Sequence, residues 1–269
     1  MKKNNFLIFL VFCGFFNPTF SQITNGTIEY GVKTSYDIKG NEMEQVKNFI
    51  NNASALANKL ILTLNFNKNE SYFYVNPLLS SDGDLSSFEV LNIHKGIYCN
   101  SKDSKYRTLK SSEVIGDYRM DYEKKSDWIL SNDTKIIDGY LCFKATSYFY
   151  NENGWVDNPK FNITAWYTTK IPVPYGPNGY HGLPGLILEV QNGVSTLFIK
   201  NISLNLNKEP KINNLESLKN LTSQQALDSE FTSMPMLKKD IIEHGIIEKQ
   251  KSDEIQKKID ERKALEKNK

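Results

Sequence analysis

The sequence predicts a mainly β fold: a curved antiparallel sheet or half-barrel of about ten strands, with one early helix. Three observations carry this. Short runs of alternating apolar and polar residues recur at close spacing without intervening helices. The chain holds 14 Tyr and 15 Phe, residues that suit pleated, half-buried surfaces. One segment, Lys170 to Glu189, concentrates four of the nine prolines and four of the fifteen glycines, and so reads as a stiff connector between two strands.

The elements follow in order. Ile28, Tyr30, Val32, Thr34 and Tyr36 alternate with polar neighbours as a half-buried strand. Gly40-Asn41 introduces a helix, with Met43, Val46, Ile50, Ala53 and Ala57 on one face and Glu42 and Glu44 where the helix dipole favours acids. Leu60 to Phe66 and Ser71 to Val75 form a hairpin across Asn67-Lys68-Asn69. Asn76 to Ser87 reads as a loop. Strands are expected at Glu89–Asn100, Lys105–Leu109 and Val114–Tyr122, and Trp128 opens another unit. A turn at Asp138-Gly139 leads into Tyr140–Tyr150, and Phe161 to Thr168 alternates again. After the connector, Leu186–Gln191 and Val194–Leu206 pair across Asn192-Gly193, a favoured two-residue turn.

The two ends differ from this middle. Lys2 and Lys3 precede an apolar run from Phe6 to Phe16, then Asn17-Pro18 and the small Ser21, the pattern of a signal peptide cleaved after Ser21. The run is shorter than the roughly 20 residues that span a bilayer. The division expected is 1–21 signal peptide, 22–206 β domain, and 207–269 a charged helical or disordered tail, with a helix at Thr222–Phe231. No other segment is apolar enough to span a membrane, so an exported periplasmic or outer-membrane-associated protein is expected. With a formal net charge of +2, nothing points to nucleic acid. Cys99 and Cys142 remain after signal removal. In an oxidising compartment they can form one disulfide, and two buried thiols are the alternative.

Motifs for chemistry are sparse. There is no phosphate-binding glycine loop, no paired Cys or His spacing for zinc, and no serine elbow, so neither cofactor nor metal is expected. His94, His181 and His244 lie far apart. His181 could serve as a base with Glu189 or Asp138, but no nucleophile accompanies it. The connector has a structural explanation: Leu183-Pro184-Gly185-Leu186 fits a type II turn with φ > 0 at Gly185, while Gly182 permits close backbone approach. Its functional reading is a rigid platform that presents Tyr175, Tyr180 and His181, with Trp166 on the preceding strand, for recognition.

The words Gly182-Leu183-Pro184-Gly185-Leu186-Ile187 resemble the GLPGLI family of exported Bacteroidetes proteins. Asp127 to Leu130, Thr134 to Ala145, Ala165 to Thr168, Ile171-Pro172 and Gly176-Pro177 are similar to that family's pattern in its order. The resemblance implies an envelope protein of unknown biochemical role, a companion of outer-membrane transport or receptor systems. The strand pattern is also similar to the half-barrel of periplasmic lipoprotein carriers. Together they lead us to expect a non-enzymatic binding or accessory protein for a hydrophobic ligand, a peptide or an outer-membrane partner. The alternatives are a hydrolase using His181 and an assembly component tethered by its tail.

Overall fold

The computed structural model describes residues 23–34, 44–76, 93–103, 105–123, 127–150, 160–193 and 195–233. The expected signal peptide, the polar loop up to Ser87 and the tail beyond Ser233 lie outside these, apart from Asn76. Among the described residues, eleven strands form one antiparallel sheet that is not closed into a barrel. They are β1 (Asn25–Thr34), β2 (Leu62–Asn67), β3 (Glu70–Val75), β4 (Gly96–Asn100), β5 (Lys105–Ser112) and β6 (Gly116–Glu123), then β7 (Ile129–Ile137), β8 (Tyr140–Tyr150), β9 (Lys160–Thr168), β10 (Leu186–Gln191) and β11 (Ser195–Leu204). Helix α1 (Glu44–Lys59) lies between β1 and β2, and α2 (Ser223–Ser233) follows the sheet. No described helix is long and apolar enough to cross a membrane.

The spatial order is β6-β5-β4-β3-β2-β1-β11-β10-β9-β8-β7. Every strand therefore lies beside its neighbour in sequence except β6 and β7, and β1 pairs with β11. Laid flat, such a sheet would hold its edges about 48 Å apart at about 4.8 Å per strand. Yet Glu123 at the end of β6 and Asp127 just before β7 are four residue steps apart, at most about 14 Å. The sheet is therefore rolled until its two edges approach, leaving a seam where the last pair of strands would close the ring.

Register sorts the residues onto two faces. Ile28, Tyr30, Val32, Leu62, Leu64, Phe66, Phe73, Ile97 and Cys99 point inward and are buried. The hairpin turn at Asp138-Gly139 holds both residues at positive φ (48° and 77°), the two-residue geometry that matches strand twist. Helix α1 fills part of the interior through Ala57, with Leu60 just beyond its end. Ser54 and Thr34 share a hydrogen bond of 2.8 Å.

The chain after β11 wraps the other way. Asn65 Nδ2 donates to the Lys211 carbonyl (2.9 Å), and Glu216 receives both Arg107 (3.0 Å) and Arg119 (2.7 Å). Residues 219–221 then take up the edge of β6. The Arg119 amide donates to the Lys219 carbonyl, and the Leu221 amide donates to the Arg119 carbonyl. Leu221 and Ala226 bury against Tyr118 and Met120 as a small second core.

The expected bridge between Cys99 and Cys142 is not formed: both are buried and outside any disulfide. Register gives the reason. Cys142 shares a face with Lys135, Trp166 and Glu189, whereas Cys99 lies on the opposite, inner face. Burial pushes the Cys142 thiol up to about 11.

Candidate functional site: an aromatic cleft at the seam

The connector does not stand at a rim. It passes through the interior and touches β2, β3 and β4. Four prolines fix its course, and backbone bonds tie it down: Gly182 N–H to Pro174 O, Leu186 N–H to Ile171 O and Ile187 N–H to Tyr175 O. The Tyr30 hydroxyl, buried to zero exposure, donates to the Ile187 carbonyl at 2.7 Å. Ile171, Val173, Tyr175 and Leu183 are core residues.

The two glycines of the expected turn exchange roles. Gly182 takes positive φ (88°), while Gly185 does not. A Cβ on Gly185 would lie 2.1 Å from the Thr168 carbonyl oxygen, so Gly185 is the close-approach position. The type II geometry expected for Leu183 to Leu186 is therefore not what forms: Gly185 lacks the positive φ it needs, and the next strand is already paired with Thr168 at Leu186.

Where the connector nears the seam it makes a tight turn, Pro177–Gly179, with Asn178 at φ 51°. Asn tolerates this left-handed conformation because its short polar side chain bonds locally. Its Oδ1 accepts the His94 amide at 2.9 Å, joining the connector to the segment before β4. The Trp128 Nε1–H donates to the His181 carbonyl at 2.8 Å, and the Trp128 ring tilts against Tyr180 with centroids 6.5 Å apart.

The result is a cleft of about 190 Å³, walled by Tyr106 of β5 on one side of the seam, Tyr148 of β8 on the other, and Trp128, Tyr180, His94 and His181 between. No Asp, Glu, Lys or Arg is among its described lining residues. Burial, with the nearby Lys110 charge as the lesser cause, pulls the His94 imidazole down to about 4, so it is neutral at ordinary pH. Burial likewise holds the Tyr106 and Tyr180 hydroxyls up at about 12. The cleft has no carboxylate, ammonium or guanidinium in its described lining, and offers rings for stacking and hydroxyl, imidazole and amide groups for hydrogen bonds.

Tyr180 and His181 are thus brought together here, both lining the cleft. Tyr175 is not: it is 2% exposed and packs on Phe66 in the core. Trp166 lies on the opposite face of the sheet, with Lys135 Nζ 4.4 Å above its ring. The carboxylates considered as partners of His181 are elsewhere too. Glu189 holds Lys135 at 2.8 Å on that opposite face, and Asp138 is exposed in the β7–β8 turn. Among the described residues no group of three or more His, Cys, Asp or Glu gathers to hold a metal. Sequence reasoning missed His94, Tyr106, Trp128 and Tyr148 as a set, because four separate segments deliver them: the approach to β4, β5, the approach to β7, and β8.

No curated protein matches the chain. Two solved structures of PNGF-II, in P21 and C2 space groups, share 14% and 15% identity with it, at TM-scores of 0.49 and 0.47. They cover 77% and 76% of this chain and 33% and 32% of their own, so the chain spans about a third of their length. A family described as "Protein of unknown function (Porph_ging)" matches residues 151–189, which contain the whole connector. The segment that builds one wall of the cleft is thus similar to a domain of unknown function found in Bacteroidetes proteins.

Proposed function

We propose that this chain is an exported envelope protein of the GLPGLI type that binds without catalysing a reaction, and that its ligand is an aromatic side chain of a partner polypeptide. The observation that carries this is the aromatic cleft at the seam, whose described lining holds no Asp, Glu, Lys or Arg. Its volume of about 190 Å³ suits one ring-bearing side chain and is far below the roughly 300–1,000 Å³ of pockets that enclose whole small molecules. The interior that a lipid carrier would keep hollow is filled by Ile171, Val173, Tyr175 and Leu183. The envelope location draws on the apolar N-terminal run, and the accessory role on the motif resemblance.

The test is nuclear magnetic resonance of ¹⁵N-labelled histidine side chains, titrated with N-acetyl-tyrosinamide and N-acetyl-tryptophanamide. The His94 and His181 ring signals should shift saturably, and Trp128→Ala should abolish the shift. Ring signals that stay put up to the solubility limit of both probes would remove the cleft from the account.

A further inference from the structure

The ladder is complete at every pair of sequence neighbours except one, β6 beside β7. The vacancy is not symmetric. On its β6 side the hydrogen-bonding groups of Arg119 are already taken by Lys219 and Leu221 of the same chain, and α2 covers Tyr118 and Met120. On its β7 side the strand has one partner among the described residues, β8, and none of them forms a second ladder on its outer edge. That edge is also apolar. Five of the eight large hydrophobic residues exposed among the described residues sit on the β7–β8 hairpin: Ile129 (66%), Leu130 (56%), Ile136 (66%), Leu141 and Tyr148. The two charges of β7 itself are compensated, with Asp133 holding Lys144 at 3.1 Å and Lys135 held by Glu189 of β10.

We infer that the free edge of β7 takes one extended, uncharged strand of a partner polypeptide, which completes the ladder at the seam. This rests on the reading of the cleft as a side-chain site, and it names how the rest of the partner is held. Continuity supports it: Trp128 walls the cleft, and the very next residue, Ile129, begins the edge. A strand paired along Ile129 and Leu130 would therefore carry its end side chain to the cleft mouth. Main-chain bonds supply affinity in this mode and pockets for individual side chains supply selectivity. A second copy of the chain fits the edge less well. The register between β7 and β8 slips between Leu130 and Thr134, which bends the strand and works against a long flat edge-to-edge contact. A short guest strand pairs on either side of that bulge. The compensated charges ask for a guest without charge of its own.

Hydrogen exchange of the protein purified from its own host reads the edge directly. The probe is a peptide of roughly eight alternating Val and Thr residues, made with and without a terminal Tyr. Saturating peptide should slow exchange of the Ile129–Ile137 amides by about tenfold or more, leaving α2 unchanged. Ile136→Pro and Leu130→Lys, both at exposed positions, should each abolish the slowing while circular dichroism stays that of the wild type. Unchanged β7 exchange at saturation would overturn the inference. So would β7 amides already as protected as those of β2 in the free protein, or protection that grows with protein concentration alone, the mark of a second copy. If β7 slows equally with both peptides, the edge stands and the cleft reading fails. If only the terminal Tyr moves signals, the cleft stands and the edge fails.

Discussion

Replacing Gly185 by Ala tests whether the connector is held by close backbone approach. The new Cβ would stand 2.1 Å from the Thr168 carbonyl oxygen, 2.6 Å from its carbon and 3.0 Å from the Thr169 nitrogen. An ordinary carbon–oxygen contact needs about 3.3 Å, so the strands must part by roughly 1 Å. No flexible side chain can give way, because the obstacle is backbone. Thr168 is fully buried and paired with Leu186, so the displacement would propagate into the β9–β10 ladder. Overpacking of this kind costs typically 1–3 kcal/mol, and a backbone obstacle places Gly185→Ala at about 3 kcal/mol. For a domain of this size that lowers Tm by about 6–12 °C. The control is Gly182→Ala, at an exposed position whose positive φ costs an alanine about 1 kcal/mol. Urea unfolding of both variants compares them. Gly185→Ala within about 0.5 kcal/mol of wild type, or Gly182→Ala the more damaging of the two, would refute the reasoning.

Further outcomes follow from the same geometry. Neither Cys99 nor Cys142 should react with a thiol reagent in the native state, and both should react once urea unfolds the chain; failure to react when unfolded would mean a disulfide. His94 binds its proton only near pH 4 when folded, against 6.5 when unfolded. Between these values the unfolded chain holds more protons, so stability is complete above pH 6.5 and falls with pH, by at most about 1.4 kcal/mol per unit. His94→Gln should flatten that part of a pH–stability profile. Glu216 is exposed, and its carboxyl lies below the ordinary 4.5 chiefly through the Arg119 hydrogen bond. Its contribution is therefore present above pH 4.5 and fades as pH falls through the lowered value. Glu216→Ala should speed exchange of the Arg119 and Leu221 amides, an effect that disappears in high salt.

Strands were legible wherever one face is buried and the other is not: Ile28-Tyr30-Val32 and Ile163-Ala165-Tyr167 announce their inner faces by alternation alone. The Asp138-Gly139 turn was legible because two positive φ values demand such residues. Proline and glycine content marked the connector but could not say which side of the sheet it takes, since that depends on the rolled shape. Tyr175 illustrates this. Its sequence setting is that of an exposed loop tyrosine, and only the inward path of the connector makes it core. The exchange of roles between Gly182 and Gly185 has the same origin, for a neighbour 17 residues back, Thr168, decides it. The cleft was least legible. His94, Tyr106, Trp128, Tyr148 and Tyr180 meet because β1 pairs with β11 and the sheet rolls, and neither event leaves a mark near any of them.

The path of the connector also sets the tempo of folding. Its Asn178 grips His94 across 84 positions, and Ile187 receives Tyr30 across 157. The first six strands therefore leave synthesis with only part of their hollow side filled, by α1, and they wait for residues that arrive late in the chain. Contacts this remote make collapse slow, on the scale of milliseconds to seconds or longer. Phe66, Phe73 and Ile97, buried in the native protein, are completed late, and apolar surface exposed in that interval is prone to aggregation.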